Sequence, residues 1–249
     1  MLKQYLRLAA IAIGLAIALN FSNSFAEDGV AKPKVLLFFG VYTQWYKFDQ
    51  ILKKDYEMKT VNARTDRVES FPSPNELSSY SIIILSDVTA DSLTPAWIKW
   101  LDQYVKKGGS LLVTGGPFTY GEGNFKEKGI DAILPVETAK FDLKWEKAGV
   151  AIKIDNAVSP IVEGVDIKAE PMVYWIHQLI PKQGMEVIMS AGKYPLVIAG
   201  KYGEGKVIVF TGSPLGLPLE KQVPFWEWPG WEKLTGNCCN WLANKSISK

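Results

Sequence analysis

Short apolar runs separated by turn residues dominate the first half of the chain. They span residues 35–39, 58–61, 81–86 and 110–114. Such runs, above all the β-branched one at 81–86, are typical of strands that are buried on both faces of a parallel sheet. We therefore predict four strands, with 81–86 as a central one that ends at Asp87.

The last two of these strands are separated by a well-marked helix. Thr94 is a suitable N-cap, Pro95 fits the first helical position, and Gly108 follows the last turn. Apolar residues recur on one face, at Trp97, Leu101, Tyr104 and Val105. The order strand, helix, strand forces a crossover that leaves the two strands parallel, so we predict an open, doubly wound α/β sheet. A further helix is predicted over 45–54.

The second half of the chain has a different pattern. Strands are predicted over 186–190, 196–202 and 206–211, and residues 203–205 join the last two as a hairpin. An antiparallel hairpin makes the sheet mixed. A final helix is predicted around four apolar positions: Leu234, Cys238, Trp241 and Leu242. No repeat or linker interrupts the pattern, so we predict one domain over 27–249.

The first 26 residues have the pattern of an export signal. Lys3 and Arg7 lie at the start, an unbroken apolar run follows over 8–19, and Ser24 and Ala26 have the spacing of a cleavage site. We predict that residues 1–26 are a signal peptide and that the mature protein is periplasmic or secreted. The apolar run is shorter than the ~20 residues of a spanning helix, so no stable membrane span is expected after cleavage.

Charge and composition reduce the number of function classes that fit this chain. The chain has 28 Lys and Arg against 26 Asp and Glu, and the signal accounts for Lys3 and Arg7. The balanced remainder gives no basic field, so nucleic acid is not expected as a partner. The one histidine, His177, excludes a multi-histidine metal site, and the adjacent Cys238 and Cys239 are predicted to be buried. We predict no cofactor and no metal site.

A glycine-rich loop over 115–123 follows the predicted strand 110–114. Open α/β sheets bind ligands at the carboxyl ends of their strands. We predict a ligand site at this edge, with aromatic side chains around a groove for a sugar ring or a peptide; alternatively, these side chains pack the core. The loop lacks the Lys-Ser/Thr ending of a nucleotide-binding loop. The predicted ligand-binding residues are Ser86, Asp87, Gly115, Gly116, Phe118, Tyr120, Trp226 and Trp228.

Several groups of residues form a familiar pattern. Between 82 and 136 they are Leu85-Ser86-Asp87, Tyr104-Val105-Lys106-Lys107-Gly108-Gly109, Gly115-Gly116-Pro117, Gly121, Gly123 and Leu134-Pro135-Val136. This stretch resembles the class I glutamine amidotransferase-like family, in its exported or membrane-associated branch. The hairpin around 195–207 and the tryptophan-rich final helix are similar too. The resemblance implies a flavodoxin-like fold, a doubly wound and mostly parallel sheet with a later antiparallel hairpin.

The resemblance also implies where catalytic residues would lie in an amidotransferase. Such family members have a Cys nucleophile in a sharp turn after a strand, and a His with a Glu two residues on after a later strand. Here the turn over 113–117 has no Cys, and the later segment over 211–216 has no His. Cys238 and Cys239 are poor substitutes because apolar burial disfavours the thiolate. Glutaminase activity is therefore not expected.

Few other residues are candidates for catalysis. His177 could act as a base, although a lone histidine among apolar neighbours is also typical of a structural residue. Asp87 and Glu122 would form an acid–base pair, or two oxygen ligands, if the loops that carry them converge. Alternatively, Asp87 caps a loop and Glu122 is solvated. Thr114 and Ser86 could be nucleophiles, but neither has a base nearby in the sequence.

Three functions remain open at this point. The first is an exported amidotransferase-like domain that binds a small molecule, a glycan or an envelope protein. The second is a hydrolase of another kind that uses Asp87, Glu122 or His177, which convergence of these side chains would favour. The third is a structural subunit of an envelope assembly, which an exposed apolar patch without a pocket would favour. The sequence leaves the oligomeric state open.

Overall fold

A ten-stranded mixed sheet organises the computed structural model, which describes residues 31–66 and 70–244. The strands are β1 (Lys34–Phe39), β2 (Glu57–Asn62), β3 (Tyr80–Ser86), β4 (Ser110–Thr114), β5 (Val136–Glu137), β6 (Leu143–Ile154), β7 (Met172–His177), β8 (Ile180–Pro181), β9 (Glu186–Ala191), β10 (Tyr194–Tyr202), β11 (Gly205–Phe210) and β12 (Gly212–Ser213). The order in the large sheet is β12-β7-β6-β9-β10-β11-β4-β3-β1-β2, while β5 and β8 form a separate antiparallel pair. The predicted signal peptide, 1–26, lies outside the described residues.

Among the described residues, five α-helices accompany the sheet. They are α1 (Phe48–Leu52), α2 (Pro74–Leu77), α3 (Pro95–Lys106), α4 (Phe125–Lys128) and α5 (Gly230–Leu242). Single 3₁₀ turns lie at Val41–Tyr46, Ala90–Ser92, Ile130–Ile133 and Pro160–Val162. Within the described part of the chain, no helix is both long and apolar enough to cross a membrane.

The parallel half of the sheet confirms the predicted fold class. Strands β2, β1, β3, β4 and β11 lie side by side in that order and run parallel to one another. β3 lies between β1 and β4, and its residues from Ile82 to Ser86 are buried. This is the flavodoxin-like arrangement, in which buried central strands are almost entirely apolar.

Helix α3 begins and ends where the sequence predicts. The Thr94 hydroxyl accepts a hydrogen bond from the Trp97 backbone N–H at 3.1 Å, which satisfies one of the free donors of the first turn. Trp97, Ile98, Leu101 and Val105 are buried. The helix therefore covers one face of the parallel half of the sheet.

The predicted helix over 45–54 is wrong in detail. The chain forms a 3₁₀ turn over Val41–Tyr46 and then α1, and the two are separated at Lys47, whose φ of 56° is left-handed. The Tyr46 hydroxyl donates to the carbonyls of Gly115 and Gly212 at 2.8 and 2.7 Å. These buried bonds hold Tyr46 against the sheet edge, and the left-handed break at Lys47 separates it from α1.

The antiparallel half extends the sheet beyond β11. The predicted hairpin of β10 and β11 is confirmed, and β9, β6, β7 and β12 follow. Strands β6 and β7 have no counterpart in the sequence predictions. In β6 only Ile152 is buried, and a register shift lies between Trp145 and Val150. Their pairing brings His177 at the end of β7 close to β12.

The two cysteines lie in the core, as predicted. Cys238 and Cys239 are buried and not joined in a disulfide, and they belong to the apolar cluster between α5 and the sheet. Burial raises the pKa of the Cys238 thiol to about 12. A thiol with this pKa stays protonated and unreactive at neutral pH.

Candidate functional site

The chain is closely packed at the carboxyl ends of β3 and β4, where the sequence predicts a ligand-binding crevice. A Cβ added to Gly115 would lie 2.5 Å from the Gly212 carbonyl oxygen, and one added to Gly116 would lie 2.3 Å from Asp87 Oδ1. Real Cβ atoms do not approach other atoms this closely. The two glycines are therefore required by close packing.

Most of the predicted ligand-binding residues at this edge are buried. Among them, Phe118 is the exposed one, with 42% of its surface accessible. Loop 115–123 folds back over the strand ends, and the Tyr120 hydroxyl donates to the carbonyls of Val113 and Phe210 at 2.9 and 3.0 Å. The residues buried by this packing are Ser86, Asp87, Gly115, Gly116 and Tyr120.

Asp87 holds neighbouring loops together. Its φ of 54° is left-handed, and its Oδ2 accepts a hydrogen bond from the Tyr42 backbone N–H at 3.0 Å. Burial raises the pKa of Asp87, while the backbone N–H groups of Tyr42 and Phe118 and the Arg64 charge oppose that rise. These contacts fit the loop-capping alternative for Asp87.

Ser86 and Thr114, the two nucleophile candidates, contact each other. The Thr114 hydroxyl donates to Ser86 Oγ at 2.9 Å, and both side chains are buried. Their bond satisfies a pair of buried polar groups, which is a structural role.

His177 lies at the centre of a polar cluster with two carboxylates. His177 Nδ1 lies 2.5 Å from Asp142 Oδ1 and 3.5 Å from Glu122 Oε2. Its Nε2 lies 3.1 Å from the Gly116 carbonyl oxygen and 3.4 Å from Ser213 Oγ. Loop 115–123, the segment before β6 and strands β7 and β12 thus meet at one imidazole.

Backbone donors fix both carboxylates of the cluster. Asp142 Oδ2 accepts from the Gly121 N–H at 3.1 Å. Glu122 Oε1 accepts from the N–H groups of Asp142 and Leu143 at 3.1 and 2.9 Å. Each carboxylate therefore has one oxygen held by backbone N–H groups and turns its second oxygen toward His177. The backbone thus fixes the position of both carboxylates relative to the imidazole.

The charges of the cluster are coupled. Burial lowers the pKa of His177, but hydrogen bonds and charge from Asp142 and Glu122 outweigh burial and raise it above 6.5. Burial raises the pKa of Glu122, yet the hydrogen bonds from His177 and Leu143 bring it down to about 2. The pKa of Asp142 is raised, chiefly by burial and also by the Glu122 charge. The two carboxylates therefore favour the protonated form of the imidazole, and the imidazole in turn favours the ionised form of Glu122.

The structure joins Glu122 to His177 and places Asp87 elsewhere. The third member of the cluster is Asp142, which sequence reasoning missed, as it missed Ser213. Asp142 lies in no motif, and it meets His177 only because β6 and β7 pair antiparallel with Leu143 opposite His177. That contact spans 35 positions in the sequence, so no local pattern indicates it.

Metal binding can be judged from the same atoms. One ligand atom from each of Glu122, Asp142 and His177 lies within 4.8 Å of the others. However, His177 Nδ1 and Asp142 Oδ1 are hydrogen-bonded at 2.5 Å, and a cation would have to displace the proton of that bond. The geometry is that of a hydrogen-bonded ion pair.

The tryptophans predicted to line a groove are core residues. Trp226 and Trp228 are 6% and 3% exposed and pack beneath the start of α5, where Trp228 Nε1 donates to the Asp166 carbonyl at 2.9 Å. They border a cavity of about 190 Å³. Both rings therefore pack in the core, as the alternative interpretation expects, and they also line this cavity.

Other aromatic residues are exposed instead. Trp45, Phe118, Phe141 and Trp145 have 43%, 42%, 77% and 53% of their surface accessible. Arg64 lies over the Phe118 ring at 5.3 Å, and Trp145 stacks on half-buried Trp175 with ring centres 6.0 Å apart. A separate groove of about 660 Å³ lies at the opposite edge of the sheet, between α2, α3 and the end of α5.

The fold and this edge define the class of protein: a flavodoxin-like α/β domain of the class I glutamine amidotransferase-like kind. A family described as "Putative glutamine amidotransferase" matches residues 42–244, and the chain belongs to this family. A comparison with curated proteins found no match.

Solved structures share the fold. Two Salmonella typhimurium proteins described as cytoplasmic have TM-scores of 0.72 and 0.73, with 21% and 19% identity, and cover 85% and 84% of this chain and 99% of their own. A ThuA-like protein from Parabacteroides merdae has a TM-score of 0.64 and 15% identity, over 88% of this chain and 93% of its own. Identities this low show the fold alone.

Proposed function

We propose that this chain is an exported amidotransferase-like domain that lacks the family's Cys and His pair and acts as a ligand- or protein-binding module in the cell envelope. One observation carries the proposal. The turn after β4, where an amidotransferase would hold its nucleophile, has glycines at 115 and 116, and neither position has room even for a Cβ. A nucleophilic side chain is therefore excluded at both by packing.

The rest of the chain offers no replacement cysteine. Cys238 and Cys239 are buried residues of α5, and the high pKa of Cys238 opposes thiolate formation. The segment over 211–216 has no His. Export rests on the pattern of residues 1–26, and binding rests on the exposed aromatic side chains.

Phe118 and Trp145 are the best-supported binding residues. Phe118 carries a cation above its ring, and Trp145 is half of a stacked tryptophan pair. Rings held in such fixed positions give contact area at low entropic cost, which is typical of binding surfaces. A small molecule, a glycan or an envelope protein would each fit this description.

A thermal-shift screen of the full chain tests the proposal. The panel contains sugars, glycan fragments, amino acids including glutamine, nucleotides and divalent ions. A ligand at 100 times its Kd adds about 2.7 kcal/mol of stability. We expect a hit that Phe118→Ala or Trp145→Ala removes, and no hydrolysis of glutamine.

Val158→Ala is the matched control, because Val158 is also an exposed apolar residue but lies in the turn after β6. It should keep the hit. Glutamine hydrolysis by the native chain would contradict the proposal. The absence of any stabilising compound would contradict small-molecule and glycan binding and leave a protein partner as the remaining form of the proposal.

A second candidate function is a hydrolase of another kind. The observation that favours it is the convergence of Glu122 and His177, together with Asp142, in a fixed polar cluster. Asp87 has no part in this version, because its carboxylate is bound to the Tyr42 backbone.

A further inference from the structure

Ser213 lies on the Nε2 side of the His177 ring, which it shares with the Gly116 carbonyl oxygen at 3.1 Å. Strand β12 pairs antiparallel with β7, with Ser213 opposite Trp175. Residues two apart on a strand point to the same face, so Ser213 and His177 are diagonal neighbours on one face. Ser213 Oγ lies 3.4 Å from His177 Nε2, and Nδ1 at the other end of the ring lies 2.5 Å from Asp142 Oδ1.

We propose that Ser213, His177 and Asp142 form a covered acyl-transfer site for an ester or another activated acyl compound. The inference rests on the second candidate function. A hydroxyl, an imidazole and a carboxylate in this order can activate a serine nucleophile, because one ring nitrogen accepts the serine proton while the other is held by the carboxylate. The 3.4 Å contact is long, but such contacts often tighten when substrate binds.

The chemical step balances within these groups and the substrate. Ser213 Oγ bonds to the acyl carbon while its proton moves to His177 Nε2. The ester C–O bond then breaks, and the leaving alcohol takes the proton from His177. Water attacks the acyl-serine by the reverse route, which releases the acid and restores Ser213. Ser213 and His177 are the catalytic residues.

Neighbouring groups assist this step without joining it. Asp142 is a positioning residue, since it holds Nδ1 and stabilises the cation formed on His177. Glu122 Oε2, 3.5 Å from Nδ1, adds negative charge to the same side. The Gly116 N–H donates to His177 Nε2 at 3.5 Å, so this donor already points toward the place where charge would develop on the acyl oxygen.

Loop 115–123 covers the site. Ser213 and His177 are fully buried, and the Tyr120 ring packs edge-on against the imidazole with ring centres 4.8 Å apart. Tyr120 has a φ of 52°, a left-handed conformation that is strained for a bulky residue. Opening of this loop would expose Ser213, and release of that strain would help to offset its cost.

Covalent labelling tests the site. The full chain is incubated with a fluorophosphonate probe, which forms a stable adduct with activated serines, and the adduct is located by peptide mass spectrometry. We expect one adduct on Ser213. Ser213→Ala should abolish it, whereas Ser190→Ala should not, because Ser190 is a buried serine on β9 whose hydroxyl has no hydrogen-bond partner among the described residues.

The pH dependence of labelling separates a chemical role from a structural one. The charged or titratable groups that face His177 are Asp142, Glu122 and Tyr120. Because the two carboxylates raise the His177 pKa above 6.5, labelling should increase as pH rises through that higher value. Asp142→Asn should slow labelling by about 100-fold and move the midpoint to lower pH. A purely structural Asp142 would leave the midpoint unchanged.

The outcomes are distinct from those of the binding screen. No adduct on Ser213 at any pH at which the chain stays folded overturns the triad, as does an adduct on another serine alone. A ligand found in the screen without an adduct leaves the binding module standing and removes the triad. An adduct that Ser213→Ala abolishes supports the triad whether or not the screen finds a ligand.

Discussion

Two places at the same sheet edge show how this chain departs from an amidotransferase. At the turn after β4, Gly115 and Gly116 are pressed against Gly212 and Asp87 with no room for a side chain. At the junction of β7 and β12, polar side chains gather around His177. The fold of the family is thus kept, while the polar side chains around His177 come from segments that are far apart in the sequence.

The comparison separates two kinds of constraint. The turn after β4 is a steric constraint, in which a small residue is required because backbone atoms approach closely. The junction is an electrostatic constraint, in which buried charges stabilise one another only while all partners remain. Substitutions at the two places should therefore differ in magnitude and in their response to pH.

The largest effect is expected at the junction, from His177→Ala. This change leaves Asp142 and Glu122 as neighbouring carboxylates without their cation, and breaking a buried pair typically costs about 3–5 kcal/mol. The measurement is the free energy of unfolding by urea denaturation at neutral pH. Loss of less than about 1 kcal/mol would show that the cluster is not coupled as described.

Thr235→Ala is the matched control for that change. Thr235 is buried in α5, and its hydroxyl has no hydrogen-bond partner among the described residues, so its removal takes away a buried polar group without breaking a network. We expect the control to stay within about 1 kcal/mol of the native chain.

An intermediate effect is expected at the turn, from Gly115→Ala. The added Cβ would meet the Gly212 carbonyl at 2.5 Å, and backbone cannot move aside as a flexible side chain can. Overpacking of this kind costs about 1–3 kcal/mol. Gly236→Ala is the control, because a Cβ there meets nothing within 4 Å and the site is inside α5. Helix propensity should make the control more stable by up to about 1 kcal/mol.

Equal stability of Gly115→Ala and Gly236→Ala, measured by the same denaturation, would contradict the packing argument. It would also mean that the turn after β4 has room for a nucleophilic side chain. The first part of the proposed function would then lose its main support.

The sequence predicts the parallel half of the fold because its signals are local. The apolar run 81–86 and the cap and face of α3 each specify an element without reference to distant residues. Strand β6 carries no such run, so its pairing with β7, and with it the contact of Asp142 with His177, could not be predicted.

The number of tryptophans in the sequence also does not indicate which of them are buried. Trp226 and Trp228 are packed against Phe225 and the sheet, and a count of tryptophans does not distinguish such residues from exposed ones such as Trp145. Burial is a property of the tertiary structure, and the irregular spacing of these tryptophans carries no periodic signal from which it could be read.

The smallest effect is expected in the pH dependence of stability, which tests the electrostatic constraint at the junction. The His177 pKa is raised, so its contribution to stability is complete below 6.5 and is lost as pH rises through the higher folded-state value. The Glu122 pKa is lowered from 4.5 to about 2, so its contribution is complete above 4.5 and is lost as pH falls toward 2. Because the pKa of Asp142 is raised, its effect on stability at acid pH is opposite to that of Glu122. Glu122 is therefore the better residue to substitute when the loss of stability at low pH is measured.

Glu122→Gln keeps an acceptor for the Asp142 and Leu143 N–H groups but cannot ionise. Thermal unfolding followed from pH 4.5 toward 2 should therefore show a smaller loss of stability in this variant than in the native chain. Because Glu122 is partly exposed to solvent, we expect a difference of at most about 1 kcal/mol. Glu137→Gln, which removes an exposed acid on β5, should follow the native curve. Parallel curves for all three proteins would mean that Glu122 does not stabilise the His177 cation, and the electrostatic description of the junction would then rest on Asp142 alone.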